Sequence, residues 1–327
     1  MMVRAAFVVL PLGLVLVALL GLALGSAAIP IKAVALWPFD ASVLTAQQKL
    51  IMDNIRLPRV MLGLMVGAML AAAGAALQGI FRNPLADPGL IGVSAGASLG
   101  AATMIVLGGE HLAGPWALPL AAFVGAVLAT LAVYGLGRRH GMVSPPSMLL
   151  AGIAVNALAG AGIGLFSYVG DDLQLRQLTF WTMGSLGAAG WSTLTPSLLP
   201  IGLSLAGLLA LATRLDVFAL GEREAFHLGL DPRLMVRLAV GLTCLGVGTA
   251  VAAAGPVGFI GLVVPHLVRL VLGAGHRVLL PASMMLGAIL LVGADTAARL
   301  LAAPAELPVG LLCSLLGAPF FLWLLRR

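Results

Sequence analysis

The run Arg214-Leu215-Asp216-Val217-Phe218-Ala219-Leu220-Gly221-Glu222-Arg223-Glu224-Ala225-Phe226-His227-Leu228-Gly229-Leu230-Asp231-Pro232-Arg233-Leu234-Met235-Val236-Arg237 carries eight charges in 24 residues, four basic and four acidic. The whole chain of 327 residues has only 18 basic and 12 acidic side chains. Long apolar stretches flank this run on both sides, so it cannot lie in lipid and must project into water. Its centre, Leu220 to Gly229, has the mixed-sign, helix-forming composition of a segment that touches another protein. Gly221 and Gly229 bound that centre and set its angle, because glycine breaks a helix at little steric cost.

Outward from this island the chain is apolar. It is 61% hydrophobic and 9% charged, with a mean hydropathy of +1.11, against roughly a quarter charged in soluble domains. A spanning helix needs about 20 apolar residues. Spans are predicted near residues 5–28, 58–80, 90–108, 117–137, 147–168, 194–213, 233–254, 278–300 and 307–325, with a shorter one near 258–272. The runs are continuous and rich in Leu, Ala, Val and Gly, not alternating, which excludes a β-barrel. The reading is an all-α integral membrane protein of about ten helices, one transmembrane domain over residues 1–327, with the polar segment 214–237 facing the cytoplasm.

Gly92, Gly96 and Gly100 recur every four residues, a pattern that lets helices approach closely. Arg4 followed by apolar residues 5–29 is too long for a cleaved signal core and reads as an uncleaved first span. With the amino terminus inside, twelve arginines fall on the cytoplasmic side: Arg4, Arg82, Arg138, Arg139, Arg214, Arg223, Arg233, Arg237, Arg269, Arg277, Arg326 and Arg327. Lys32, Lys49, Arg56, Arg59, Arg176 and Arg299 fall outside. This asymmetry obeys the positive-inside bias, so the net charge of +6 needs no nucleic acid to explain it.

Catalytic motifs are missing. A phosphate-binding loop needs a lysine in glycine context, and neither Lys32 nor Lys49 has one. The five histidines, His111, His140, His227, His266 and His276, show no metal-site spacing. His266, after Pro265, reads as a locally bonded helix-end residue. Cys244 and Cys313 both fall in apolar spans, where a thiol is a small hydrophobe. Asp295 and Arg299 sit four apart, share a helix face and neutralise each other. No acidic group lies at mid-span, as an ion-driven carrier would favour.

Two polar strings stand out. Asp53-Asn54-Ile55-Arg56-Leu57-Pro58-Arg59, on the outer side, places two arginines on one side of a turn. They read as headgroup anchors or as a fork for a soluble partner's carboxylates. Arg82-Asn83-Pro84-Leu85-Ala86-Asp87-Pro88-Gly89-Leu90-Ile91-Gly92 joins two spans as a rigid cytoplasmic turn, the prolines ending one helix before the next begins.

Three strings together resemble a family. Arg56-Leu57-Pro58-Arg59, the run Gln78-Gly79-Ile80-Phe81-Arg82-Asn83-Pro84-Leu85-Ala86-Asp87-Pro88, and Gly255-Pro256-Val257-Gly258-Phe259-Ile260-Gly261-Leu262-Val263-Val264-Pro265-His266 are similar to FecCD-type permeases. These are the membrane subunits of type II ABC importers for iron–siderophores, haem and vitamin B12. The resemblance covers roughly residues 40–325. It implies a homodimer of ten-helix subunits in the bacterial inner membrane, with two ATP-binding subunits in the cytoplasm and a periplasmic substrate-binding protein outside. ATP and Mg would then be bound and used by the partner subunit, with no cofactor held by this chain.

The resemblance also implies residue roles. Leu220, Gly221, Glu222, Arg223, Glu224, Ala225, His227, Leu228 and Gly229 match the paired coupling helices that contact the ATPase. Arg56 and Arg59, with Arg299, match a set that pairs with glutamates on the binding protein's two lobes. Such exposed contacts would orient docking more than add affinity. Ser144 and Ser147, in the link between spans four and five, lie where similar permeases form a cytoplasmic gate, although Pro145 and Pro146 depart from the small polar residues expected there.

Residues 168–187 correspond to a short helix that lines the translocation path in similar permeases. Tyr168, Arg176, Trp181, Met183 and Ser185 are the candidates. The segment Leu175 to Trp181 followed by Met183-Gly184-Ser185-Leu186 looks most like the haem-transporting branch. Arg176 suits a propionate, and a Met and aromatic lining tolerates a flat macrocycle. In the opposing reading Arg176 pairs with Asp171 or Asp172. A ferric siderophore or cobalamin is the alternative cargo, and an ion-coupled secondary carrier the alternative class.

Overall fold

The computed structural model describes residues 2–25, 27, 29–108, 114–139, 142–143, 145–303 and 305–324. Among them, seven helices are long and apolar enough to cross a membrane, and three more are shorter apolar helices. They are α1 (Met2–Ala23), α4 (Leu57–Phe81), α5 (Val93–Val106), α6 (Ala117–Leu136), α7 (Pro145–Val169), α9 (Trp191–Ala210), α12 (Pro232–Ala254), α13 (Ile260–Leu272), α14 (His276–Leu301) and α15 (Val309–Leu324), of which α5, α13 and α15 are the shorter three. Short helices α2 (Ile31–Leu36), α3 (Ala46–Ile51) and α8 (Asp172–Thr182) lie on the outer side, while α10 (Ala212–Ala219) and α11 (Glu222–His227) lie on the inner side. A two-residue antiparallel pair, Arg138–Arg139 with Met142–Val143, links α6 to α7.

The centre of the bundle is α4. Nearly every residue from Pro58 to Phe81 is buried, so it is apolar on all sides, as a fully surrounded helix must be. By contrast α1 is a peripheral helix, with only Gly21 and Ala23 buried. Lipid is as apolar as leucine, so these helices are held by close packing more than by a hydrophobic force. Glycines provide the closeness. A Cβ on Gly67 would collide with the Gly287 carbonyl of α14, and one on Gly74 with the Gly261 carbonyl of α13. The donor that the Gly261 carbonyl would normally meet is Pro265, which has no N–H. Gly96 and Gly100 press in the same way on Gly125 and Ala121 of α6. Gly92, the third of that series, serves differently: at φ 82 and ψ −1 it caps the turn before α5.

The helix ends follow local chemistry. Arg82 closes α4 in the left-handed region (φ 48, ψ 36), its N–H directed to the carbonyls of Gln78 and Gly79. Asp231 caps α12 through the Arg233 N–H, with Pro232 in the first turn.

The approach to α4 differs from the predicted turn. Residues 46–81 form one helical run, interrupted by a π turn over Met52–Arg56 in which the Leu57 N–H reaches back to the Met52 carbonyl. Pro58 explains the widening, since it has no N–H to donate and its ring crowds the preceding turn. The Asp53 carbonyl, left without a helical donor, accepts from Trp191 Nε1 at 2.7 Å.

Candidate functional site

Four polar constellations interrupt the apolar bundle. The first lies at the outer ends of α1, α4 and α14. Arg56 donates to the carbonyls of Leu22 (2.6 Å), Ala23 (2.8 Å) and Ala27. It thereby satisfies carbonyls that the end of α1 leaves without partners, where a cation is electrostatically favoured. Arg59 donates Nε and Nη2 to Asp295 (2.8 Å for Nη2) and Nη1 to Glu306 (2.8 Å). Arg299 donates to the carbonyls of Gly21 and Leu24, both at 3.0 Å, and its Nε lies 3.2 Å from Asp295. The three arginines are 4%, 5% and 8% exposed. They line a cavity of about 160 Å³ with Gly25, Ile55 and Glu306.

This corrects the expectation of a free, exposed fork on a turn. The guanidiniums are sunk among helix ends and bonded within the chain, and burial is tolerated because each has carbonyl or carboxylate acceptors. The pairing of Asp295 with Arg299 is as read from their spacing, but Arg59 shares the same carboxylate.

The second constellation is the turn after α4. The Gln78 amide donates to the carbonyls of Ala86 and Leu262 at 3.3 Å, and its oxygen accepts from Arg269 at 3.0 Å. Asn83 accepts from the Leu85 N–H and Asp87 from the Gly89 N–H. Burial pushes the Asp87 carboxyl above the usual carboxylate range, against the pull of that N–H. Asn156 of α7 donates to the Gly89 carbonyl at 3.0 Å. The string predicted as a rigid turn is thus a bonded hub joining α4, α7 and α13. His266 lies inside α13 and not at its end, and its Nδ1 is buried without a hydrogen-bond partner among the described residues.

The third is the inner polar segment. Leu220 and Gly221 separate α10 from α11; Gly221 has φ 132 and Gly229 φ 81, so both take the direction changes predicted for them. Ala225 is buried, whereas Leu220, Phe226 and Leu228 are 65%, 67% and 65% exposed. Glu222, Arg223, Phe226 and His227 face Asp231, Arg233 and Val236 across a groove of about 570 Å³. Asp216 anchors the segment by accepting from both the backbone N–H and Nδ1 of His276, each at 2.7 Å. Arg277 donates to Thr213 at 2.9 Å. These two ties to α14 were not singled out in the sequence, although Asp216 lies within the charged run.

The fourth runs from the end of α7 through α8. A capping box between Asp171 and Gln174 starts α8, and Gln174 donates onward to the Val106 carbonyl. Leu178 is buried against Ala102 and Ile105. Tyr168 is 87% exposed. Arg176 stands 6.0 Å over the Phe180 ring, a cation–π arrangement; among the described residues it forms no ion pair with Asp171 or Asp172. Beyond α8, the Ser185 N–H bonds to Ala254 (2.7 Å) and the Gly184 carbonyl accepts from Gly310 (3.1 Å). Met183 to Ser185 is therefore a strap between α12 and α15, separate from the open face that carries Tyr168 and Arg176. Asp171→Ala is expected to cost about 1 kcal/mol of local stability, seen as faster amide hydrogen exchange confined to the first turn of α8.

A family profile described as the FecCD transport family matches residues 13–327. The chain belongs to the FecCD transport family. Over 97% of its length and 96% of the relative's, this FecCD chain is 47% identical to the hemin transport system permease protein HmuU of Yersinia pestis. It is 44% identical over 86% of its length to the cobalamin import system permease protein BtuC of Halobacterium salinarum, covering 74% of that protein. Among solved structures it matches an inward-facing ABC transporter chain described as metal-chelate type, at a TM-score of 0.87 and 32% identity, with 99% of each chain covered. It is therefore a multi-pass ABC importer permease of the bacterial inner membrane, of a family whose members work with ATP-binding subunits and a periplasmic binding protein.

Within this FecCD chain, Arg56, Arg59 and Arg299 converge, and the nine coupling candidates between Leu220 and Gly229 lie together in α11 and its flanking turns. The five path candidates divide between α7–α8 and the strap. Ser147 is half-buried in the first turn of α7, and Ser144 lies outside the described residues. Among the described residues no cluster of His, Cys, Asp or Glu could hold a metal ion, and Cys244 and Cys313 are free and buried.

Proposed function

We propose that the chain forms the membrane-spanning part of a haem importer. A homodimer would move haem by alternating access, driven by two ATP-binding subunits that bind ATP and Mg. The observation that carries the cargo assignment is the full-length 47% identity to a hemin permease, supported by the open Arg176–Phe180 pair beside the strap that holds Met183. Tyr168, Arg176, Trp181, Met183 and Ser185 line the path in this reading, and Ser144 and Ser147 sit at the cytoplasmic gate. Arg56, Arg59 and Arg299 receive the loaded binding protein. The segment from Leu220 to Gly229 couples to the ATPase: among the described residues its side chains Leu220, Phe226 and Leu228 stand about two-thirds exposed.

The test is uptake into proteoliposomes containing the permease, its ATPase and its binding protein, loaded with haem, a ferric siderophore or cobalamin. ATP-dependent uptake of haem alone is expected, with Arg176→Ala reducing it about tenfold if one charge-assisted contact to a propionate is lost. Uptake of a siderophore or cobalamin would keep the importer and overturn the cargo. Uptake that persists without the ATPase subunit would make the protein a secondary carrier.

A further inference from the structure

The three donor edges of Arg59 are held unequally. Nε and Nη2 meet Asp295, whose side chain is 4% exposed and which is also paired with Arg299. Nη1 meets Glu306, whose side chain is 49% exposed and lies in the connection between α14 and α15. Asp295 is thus a fixed partner and Glu306 an exchangeable one. A half-exposed ion pair is held weakly, because water competes for both members.

Glu306 also lies beside the turn that follows the outer strap. Its Oε2 lies 3.2 Å from the point where a side chain on Gly187 would begin. A few residues on, the Gly310 N–H is bonded to the Gly184 carbonyl. The connection that carries Glu306 therefore reaches both the arginine cluster, through Arg59, and the strap, through Gly310 in the first turn of α15. With Glu306 in place, three guanidiniums face two carboxylates; with it withdrawn they face one, and the cavity gains a unit of positive charge.

We propose that Glu306 is a resident stand-in for a carboxylate of the docking partner: it occupies Arg59 Nη1 until the partner displaces it, and its release loosens the connection that holds the outer strap. The inference rests on the docking role given above to Arg56, Arg59 and Arg299. It assigns to that face a competition that the incoming acidic group must win, and a route by which winning it reaches the mouth of the path.

The experiment measures affinity of the binding protein for the transporter in nanodiscs, together with ATP hydrolysis in the absence of binding protein. Glu306→Gln removes the competitor and raises the local positive charge, so affinity is expected to rise about fivefold, with a steeper loss on adding salt. Basal hydrolysis should rise about twofold as the strap loosens. Glu306→Asp keeps the charge but retracts it by one methylene and should fall between wild type and Glu306→Gln; it carries the test should the amide variant fail to assemble. Arg59→Lys keeps a cation beside Asp295 but loses the planar fork that meets Asp295 with two N–H groups and Glu306 with a third, and should weaken docking about tenfold. If Arg59→Lys weakens docking while the Glu306 variants leave it unchanged or weaker, the docking face stands and the stand-in role is overturned. If neither substitution moves the affinity, the docking reading itself falls.

Discussion

Asp295→Ala is expected to destabilise the permease by about 3–5 kcal/mol, the cost of leaving buried charges without their partner. Asp295 accepts from Nε and Nη2 of Arg59 and pairs with Arg299, and all three groups are almost fully buried. Without it, two guanidiniums would share one half-exposed carboxylate, Glu306. Arg299 would keep its carbonyl partners at Gly21 and Leu24, but among the described residues Arg59 has no such second set. The outer ends of α4 and α14 would therefore be pushed apart. A thermal scan in detergent should show a fall of roughly 10 °C, with Asp295→Asn intermediate because the amide still accepts a hydrogen bond. A melting point within a degree or two of wild type would mean that water enters the cluster and screens it.

The second large effect is functional. The double substitution Phe226→Ala with Leu228→Ala should reduce ATP-driven uptake at least about tenfold while leaving the thermal scan unchanged. Both side chains are about two-thirds exposed, so truncating them removes little internal packing. An interface with a partner normally draws most of its energy from a few apolar anchors, and these are the large apolar groups that α11 and its following turn offer to the cytoplasm. Co-purification of the ATPase subunit should weaken in parallel. Retained uptake with retained co-purification would move the contact to the other wall of the groove, at Arg233 and Val236.

The spans were legible because they depend on composition over about 20 residues, and lipid demands that composition whatever the neighbours are. Even the short α13 was visible between its glycine-rich start and Gly273. The caps at Asp231 and Asp171 are local signals of the same kind, although they were not singled out in the sequence. The short helix α3 carries an equally local signal, a capping box between Thr45 and Gln48, which was overlooked beside the apolar runs. The state of the arginines could not be read locally. Arg59 looks like a surface residue in its own string, and its partners lie 236 and 247 residues further on. Likewise Asp216 finds His276 sixty residues away, a pairing that no spacing rule announces. Arg176 illustrates the middle case: Asp171 and Asp172 were near enough to suggest ion pairs, but Asp171 is engaged in capping α8 and Arg176 lies instead over Phe180, four residues along the same helix.

The π turn at Met52–Arg56 has a consequence for how this region tolerates change in length. It amounts to one extra residue stored in an otherwise regular run. Loss of a single codon at position 54 or 55 would let the run rewind as a plain α-helix while the segments on either side keep roughly their facing and spacing, because the widened turn already absorbs the extra residue. The Leu57 N–H would still meet the Met52 carbonyl, now four residues back, and the Asp53 carbonyl, facing Pro58, would still be open to Trp191. Met52 and Arg56 are buried and fixed in identity, yet the chain there can shed one residue locally, whereas an added residue would have to turn the amino-terminal segment against the bundle.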